Sequence, residues 1–387
     1  MNKNEIGVGL MGYSIGRVHT HAWSNVGQFF QTKSDPKLVA ICGRTEASVK
    51  SFGENYGFKK TYSDWKSMLN DPEVTVFDNC APPNQHLDPC VFAAESGKAI
   101  LCEKPLARSA EEAYEMYRSA RKSGIVHMTG FNKRFSPAVL YARGLITEGR
   151  LGRINHVVAT CYNIEFGEGF ANPDLPLLWM FKKEVGGHGA LSDIGSHVVD
   201  LARFLVGDVS SVCGAAQTLV DERPLPQEPT KKGKVDVEDI AIGCLRFANG
   251  AIGTLNVTWS QVAARDWTTV EVYGTHGSFK YNFERPNELE LFLEDEDRNS
   301  FGFRTVICNS RSHPLASRFW PDQGGSYGFE QTFLAEIGHF LSSVESGASV
   351  EPIGASFYDG YLTCLINDKI IESSEEKRWL KVEPRPK

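Results

Sequence analysis

The sequence predicts an α/β protein in two parts: an N-terminal doubly wound parallel sheet, and a C-terminal α+β domain with a large, mostly antiparallel open sheet. Three observations carry this prediction. Over the first third, short runs that are apolar throughout alternate with helical patterns, as strands buried on both faces require. After about residue 150, alternating strands follow one another across Gly and Asn turns, with Asn249-Gly250 and His276-Gly277 marking hairpins. The chain is also long, and 387 residues exceed what one small core organises.

In chain order, strands are expected at 6–11, 37–42, 74–79, 99–102 and 125–129. Helical patterns fill the gaps at 16–28, 46–56, 64–69, 85–96 and 110–122. Beyond them, RINHVVATCYN, VSSVCGAAQTLV, DIAIGCLRFANG, AIGTLNVTWSQV, TTVEVYGTHG and SFKYNFE read as the strands of the second sheet. The helix GALSDIGSHVVDLARFLVGD and two later helices, 329–344 and 358–373, should pack on one face of that sheet. Its other face then needs a cover, and a second copy of the chain is the expected one.

Bulk properties exclude several classes. A net charge of −7 argues against a general nucleic-acid or anionic-membrane binder. The basic run Lys231-Lys232-Gly233-Lys234 is followed by Asp236, Glu238 and Asp239, and is read as a solvated loop. No apolar run approaches the roughly 18 residues of a membrane span. The nine cysteines lack metal-binding or paired spacing, and the N-terminus enters a strand almost at once. A cytoplasmic protein with buried thiols and no metal site is expected.

Ligands of such parallel sheets sit at the carboxyl ends of the strands, so the strand-to-helix turns are where chemistry should collect. The first, GLMGYSIGRVH, places Gly12, Ser14, Ile15 and Gly16 before a helix whose free N–H groups could take a pyrophosphate. A tight turn with nothing bound is the alternative. The next strand ends in Gly43 and Arg44, without the carboxylate that holds the ribose of NAD, which leans the choice toward NADP. Arginine can equally stack on adenine or lie in solvent. Pro82, Asn84 and His86 follow the strand at 74–79 in a proline-stiffened turn. Glu103 and Lys104 precede Pro105 at the end of the next, where the lysine is held extended or cis, facing the sheet edge.

The helix at 189–208 raises a different question. Leu191, Ile194, Val198, Leu201 and Leu205 form its apolar stripe. Asp193 and His197 stand one turn apart beside that stripe, with Gly195 between them. Four residues apart, the pair can address one small molecule; an exposed i,i+4 pair is the bland alternative.

Taken together, GLMGYSIGRVHTHAW, Pro82…His86, CEKPLA, GFNKRFSPA and GALSDIGSHVVDLARFLVG resemble the glucose–fructose oxidoreductase / inositol dehydrogenase (Gfo/Idh/MocA) family. FANGAIGTL, GTHGSFKYNFERPNELELF and GFRTV are most similar to its levoglucosan dehydrogenase branch, whose members oxidise the 3-hydroxyl of a pyranose. The resemblance implies a Rossmann domain at 1–130 and a substrate-binding, oligomerising α+β domain at 131–387, with the last helix able to pack back on the first domain. It implies an NAD(P)-dependent oxidoreductase acting on a secondary hydroxyl of a sugar, glycoside or anhydrosugar. It matches the family's catalytic lysine, acid and histidine to Lys104, Asp193 and His197. Ser14 departs from the family by replacing a glycine in the phosphate turn.

His197 suits the base and Lys104 the group that stabilises alkoxide character, although the two roles can be exchanged. Gly195 is read as leaving room for the ligand. Asn132, Asn163, Trp179 and His188 are candidate pocket residues. An inositol dehydrogenase is the nearest rival reading. A redox-neutral NAD-dependent glycosidase and a non-catalytic sugar sensor stand further off.

Overall fold

The computed structural model describes residues 4–163, 170–260, 264–295, 299, 301–319 and 325–387. The chain divides into two compact units, Met1–Phe135 with Gly328–Tyr361, and Ser136–Tyr327 with Leu362–Lys387.

The first unit opens as β1 (Asn4–Met11), α1 (Gly16–Phe29), β2 (Ser34–Cys42), α2 (Glu46–Tyr56), β3 (Lys60–Tyr62) and α3 (Trp65–Leu69). It continues as β4 (Val76–Asn79), α4 (Leu87–Glu95), β5 (Ala99–Glu103), α5 (Ala110–Ser123) and β6 (His127–Gly130). All six strands are parallel, in the order β3-β2-β1-β4-β5-β6. Every residue of β4 is buried, and Val8, Leu10, Ile41, Ile100 and Leu101 are inaccessible. Each such side chain contributes about 1.5–3 kcal/mol by leaving water.

Helix ends follow local chemistry. In α5, Ser109 accepts from the Glu112 N–H, acids fill the first turn, Arg121 and Lys122 the last, and Gly124 closes it left-handed. The expected helix at 85–96 starts later, because Pro83–Gln85 form a 3-10 turn before α4. Strand β3 was not expected: at the sheet edge, half-buried Lys60 and Tyr62 flank an exposed Thr61 and carry no apolar run.

The second unit contains α6 (Pro137–Thr147), β7 (Ile154–Asn163), α7 (Lys183–Gly186) and α8 (Ser196–Val206). Then come β8 (Val209–Gln217), β9 (Glu222–Pro224), β10 (Lys232–Lys234), β11 (Ile240–Phe247), β12 (Ile252–Thr258), β13 (Asp266–Gly274), β14 (Gly277–Asn282), β15 (Glu288–Leu293) and β16 (Arg304–Ile307). The large sheet runs β16-β15-β14-β13-β7-β12-β11-β8-β17, where β17 is Leu380–Lys381. Its pairings are antiparallel except β12 with β7. On β11, Ala241, Leu245 and Phe247 point to the core while Ile242, Cys244 and Arg246 are exposed.

Two helices follow. Helix α9 (Phe329–Ser346) belongs to the first unit and packs on α1, where the rings of Trp23 and Phe340 meet edge-on at 6.3 Å. This corrects the expectation that the helix at 329–344 covers the antiparallel sheet: its aromatic face finds a partner in α1. Helix α10 (Phe357–Glu376) is shared at Tyr361/Leu362, and its later part lies on the large sheet, with Ser373 and Ser374 accepting from the N–H groups of Gly214 and Ala216.

The basic run is also not a plain solvated loop. Lys232–Lys234 pairs with β9, and the acids beyond it turn inward: Glu238 and Asp239 are buried. Asp239 accepts from Trp259 Nε1 at 2.6 Å and from the Leu219 N–H at 2.6 Å.

Candidate active site

In the first unit the strand order reverses between β1 and β4, the switch point where sheets of this kind hold ligands. Gly12 directly follows β1 there with φ of 88°, its N–H donating to the Cys42 carbonyl at 3.0 Å. A Cβ at this position would stand 2.5 Å from the Cys80 carbonyl oxygen, so only glycine fits the approach. Ser14 is exposed and Ile15 half-buried just before α1. Helix α1 begins at Gly16 with no side-chain cap and no acid in its first turn, which leaves its N–H groups to an anion. Gly43 follows β2 under the ring of Tyr13, and Arg44 is exposed beside it.

The other predicted residues of this unit line the ends of β4, β5 and β6. Pro82 is extended and Asn84 half-buried in the turn after β4. His86 is buried: Nδ1 lies 3.1 Å from the carbonyl oxygens of Pro105 and Leu106, and Nε2 2.7 Å from that of Ala81. It ties the turn after β4 to the turn after β5, and burial pushes its pKa down. Lys104 is half-buried at the end of β5, and its bond to Pro105 is cis. Its N–H donates to Glu103 Oε2 at 3.1 Å. Asn132 is buried, its amide donating to Thr332 Oγ1 at 2.7 Å.

In the second unit, Asp193 and His197 occupy a segment that differs from the regular helix expected at 189–208. Leu191–Gly195 is a π-helical turn that passes into α8 at Ser196. Single π turns are rare and frequent at functional sites. His197 is 9% exposed and Asp193 half-buried. Glu238 holds the start of the turn: Oε2 accepts from Gly189 at 3.0 Å and Oε1 from Leu191 at 2.9 Å, while its backbone carbonyl takes the Ala190 N–H. A Cβ on Gly189 would lie 2.0 Å from that carbonyl oxygen.

The space beside Gly195 that the sequence assigned to a ligand is held by side chains. A Cβ there would meet the methyls of Val257 and Leu191 at 3.1–3.2 Å, so the glycine lets the turn sit close on β12.

The remaining second-unit candidates are dispersed. Asn163 ends β7 opposite Asp266, and Trp179 is 43% exposed in a 3-10 turn. His188 pairs with Asp368 at 2.7 Å and lines a cavity of about 210 Å³ with Lys183, Asp236, Glu238 and Glu375. Neither Asp193 nor His197 lines that cavity.

Sequence reasoning missed Glu238, taken for a loop acid, and a buried cluster behind Lys104 made of His19, Asp78, Glu103 and Glu336. The signal for the cluster was His19, three residues past Gly16 and on the buried side of α1.

A parallel sheet of this order, with an uncapped helix behind a close-approach glycine, defines a dinucleotide-binding oxidoreductase scaffold. The comparisons agree. Residues 6–131 match the oxidoreductase family with an NAD-binding Rossmann fold, and residues 139–280 match the GFO/IDH/MocA C-terminal domain. The levoglucosan dehydrogenase of Pseudarthrobacter phenanthrenivorans is 36% identical over 97% of this chain and 98% of its own. The myo-inositol 2-dehydrogenase of Thermotoga maritima is 27% identical over 97% of this chain and 98% of its own. A solved levoglucosan dehydrogenase in complex with NADH and levoglucosan superposes with a TM-score of 0.93, at 37% identity, covering 98% of this chain and all of that one. The chain belongs to the GFO/IDH/MocA oxidoreductase family.

Proposed function

We propose that the protein oxidises a secondary hydroxyl of a pyranose, glycoside or anhydrosugar to the ketone, and runs the reverse reaction, with C3 as the reacting carbon. The supporting observation is Lys104 at the carboxyl end of β5, in a chain that also carries the acid–histidine turn of α8. The likeness to a levoglucosan dehydrogenase along the full chain supports an anhydrosugar.

A dinucleotide fits the first unit: the Gly12 approach and the open start of α1 suit a pyrophosphate, with Ser14, Ile15 and Gly16 around it. Pro82, Asn84 and Glu103 line the turns beyond, and His86 fixes those turns from behind. Gly43 and Arg44 meet the adenosine end. When bound, the cofactor supplies a hydride acceptor at its nicotinamide ring. His197 takes the hydroxyl proton, the general-base role that imidazole commonly fills. Lys104, as an ammonium, hydrogen-bonds the same oxygen and stabilises its developing negative charge. Asp193 holds a neighbouring hydroxyl and favours the imidazolium once formed. Asn132, Asn163, Trp179 and His188 are the wider candidates for sugar contacts.

The test is a panel of levoglucosan, methyl β-D-glucoside and myo-inositol with NAD⁺ and NADP⁺, followed by absorbance of the reduced nicotinamide, with the product ketone located by NMR. Turnover of myo-inositol alone would assign the chain to cyclitols, the second reading that its likeness to an inositol dehydrogenase favours. Cleavage of the glucoside without net reduced nicotinamide would instead mark a redox-neutral glycosidase.

Self-association through the large sheet belongs to the same reading. Ile242, Ile252 and Trp267 are 41–57% exposed, and Cys213 and Cys244 face each other across β8 and β11 on the outer side. Protection of these two thiols from a disulfide reagent in the intact protein, lost on dilution to monomer, is the expected sign. Among the described residues no helix is long and apolar enough to cross a membrane. The buried thiols suit a reducing cytoplasm.

A further inference from the structure

We propose that His19, donating from both ring nitrogens, is a positioning residue for the reaction: it fixes the Glu103 carboxylate, which in turn holds the main chain of Lys104. Nothing in the family resemblance assigns His19 a part.

His19 lies on the inner side of α1 and is inaccessible to solvent. Its Nδ1 stands 3.1 and 3.0 Å from the two oxygens of Asp78, and its Nε2 3.0 Å from Glu103 Oε1. Ionised carboxylates only accept. A neutral imidazole carries one N–H, so it would set a lone pair against one of these oxygens. Two protons on the ring satisfy both contacts.

The surroundings also favour the cation. Asp78, on β4, accepts from Trp23 Nε1 of α1 at 2.7 Å and from the Cys80 thiol at 3.4 Å. From α9, the Glu336 carboxylate lies within 4.8 Å of both Glu103 and a His19 ring nitrogen, and the Phe333 ring packs 5.3 Å from the imidazole. Three buried carboxylates therefore surround one imidazole. Burial alone would depress its pKa, but the charge and hydrogen bond of Asp78 outweigh that and raise it well above the usual range.

Glu103 passes this order on. Its second oxygen accepts the Lys104 N–H at 3.1 Å. Gly130, at the end of β6, leaves the space: a Cβ there would stand 2.7 Å from Glu103 Oε1. His19 thus sets Glu103, and Glu103 sets the first peptide of the turn that carries the lysine.

The inference rests on the role given to Lys104 above, and the experiment separates the two. In His19→Gln the side-chain amide reaches the Nε2 position and keeps the bond to Glu103. In His19→Asn it reaches the Nδ1 position and keeps only Asp78. Steady-state kinetics with levoglucosan and NAD⁺ should show His19→Gln within about threefold of wild type, and His19→Asn with kcat lowered about 10- to 100-fold, the scale of an ångström's misplacement. NADH affinity by fluorescence should stay unchanged in His19→Gln, which keeps Glu103 in place.

Equal loss in the two variants overturns the proposal. If the wild type turns over no substrate of the panel, the functional reading fails and the proposal is judged on exchange: the Lys104 amide should exchange about tenfold faster in His19→Asn than in His19→Gln. If neither variant folds, ¹⁵N NMR of the wild-type His19 ring decides at pH 8, two protonated nitrogens supporting and a neutral tautomer overturning it. Stoichiometric metal in the purified protein, held by His19, Glu103 and Glu336, also overturns it.

Discussion

Replacing Glu238 by glutamine should loosen the segment that carries Asp193 and His197, and the size of the effect can be worked out. The carboxylate takes two main-chain N–H groups at 3.0 and 2.9 Å while buried. Glutamine keeps one acceptor and turns an NH₂ toward the second N–H. Weakening one charge-assisted bond to a neutral one costs about 1 kcal/mol and stranding one buried donor about 1–2 kcal/mol, so a net loss of about 2–3 kcal/mol is expected. In a unit of about 200 residues this lowers Tm by about 5–10 °C. Differential scanning calorimetry measures it, and kcat should fall while NADH affinity stays constant. A Tm within about 1 °C of wild type, with unchanged kcat, would refute the reasoning and make Glu238 a bystander.

Gly195→Ala gains helix propensity of about 1 kcal/mol and loses a similar amount against Val257, so its Tm and its KM for sugar should stay close to wild type. A raised KM would restore the idea of a ligand-facing glycine. Arg44→Ala should weaken NADP⁺ more than NAD⁺ in paired titrations; equal effects would place the guanidinium on adenine or in solvent. His19 contributes stability that is fully present below its unfolded pKa of about 6.5 and is lost as pH rises through its raised folded value. The Tm gap between wild type and His19→Gln should therefore narrow from pH 6 into the alkaline range, and a widening gap contradicts the sign. Burial pushes the Cys42 and Cys308 thiols up to about 12, so iodoacetamide at pH 8.5 should spare both and label Cys244 in the monomer. Modified Cys42 in mass spectra of folded protein would count against that.

The parallel sheet was legible because its buried strands are short, mainly apolar runs between helical patterns, and residues 99–102 of β5 are the plainest case. Strand β3 was not, since Lys60, Thr61 and Tyr62 pair at an edge with no apolar signature. Lys104, Gly12 and the acid–histidine pair could be singled out from strand ends and helix spacing. What escaped was whatever depends on partners distant in the chain. Periodicity alone cannot distinguish a π turn from an α turn, and it gave Gly195 a ligand when its neighbour is Val257. Glu238 and Asp239 looked solvated because charge patterning describes neighbours in sequence, whereas their acceptors are occupied by Gly189, Leu191, Leu219 and Trp259. Helix α9 has an apolar stripe that would suit either unit, and only the aromatic fit to α1 decides.

That return of the chain has a consequence for how the protein is made and cut. The nucleotide-binding half is not a contiguous stretch of gene: Gly328–Tyr361 must be synthesised before α1 can bury Trp23 against Phe340. A nascent chain on the ribosome holds that half unfinished through most of translation. A fragment ending near residue 130 should expose apolar surface and aggregate, so any chimera that exchanges cofactor halves between relatives has to carry two segments.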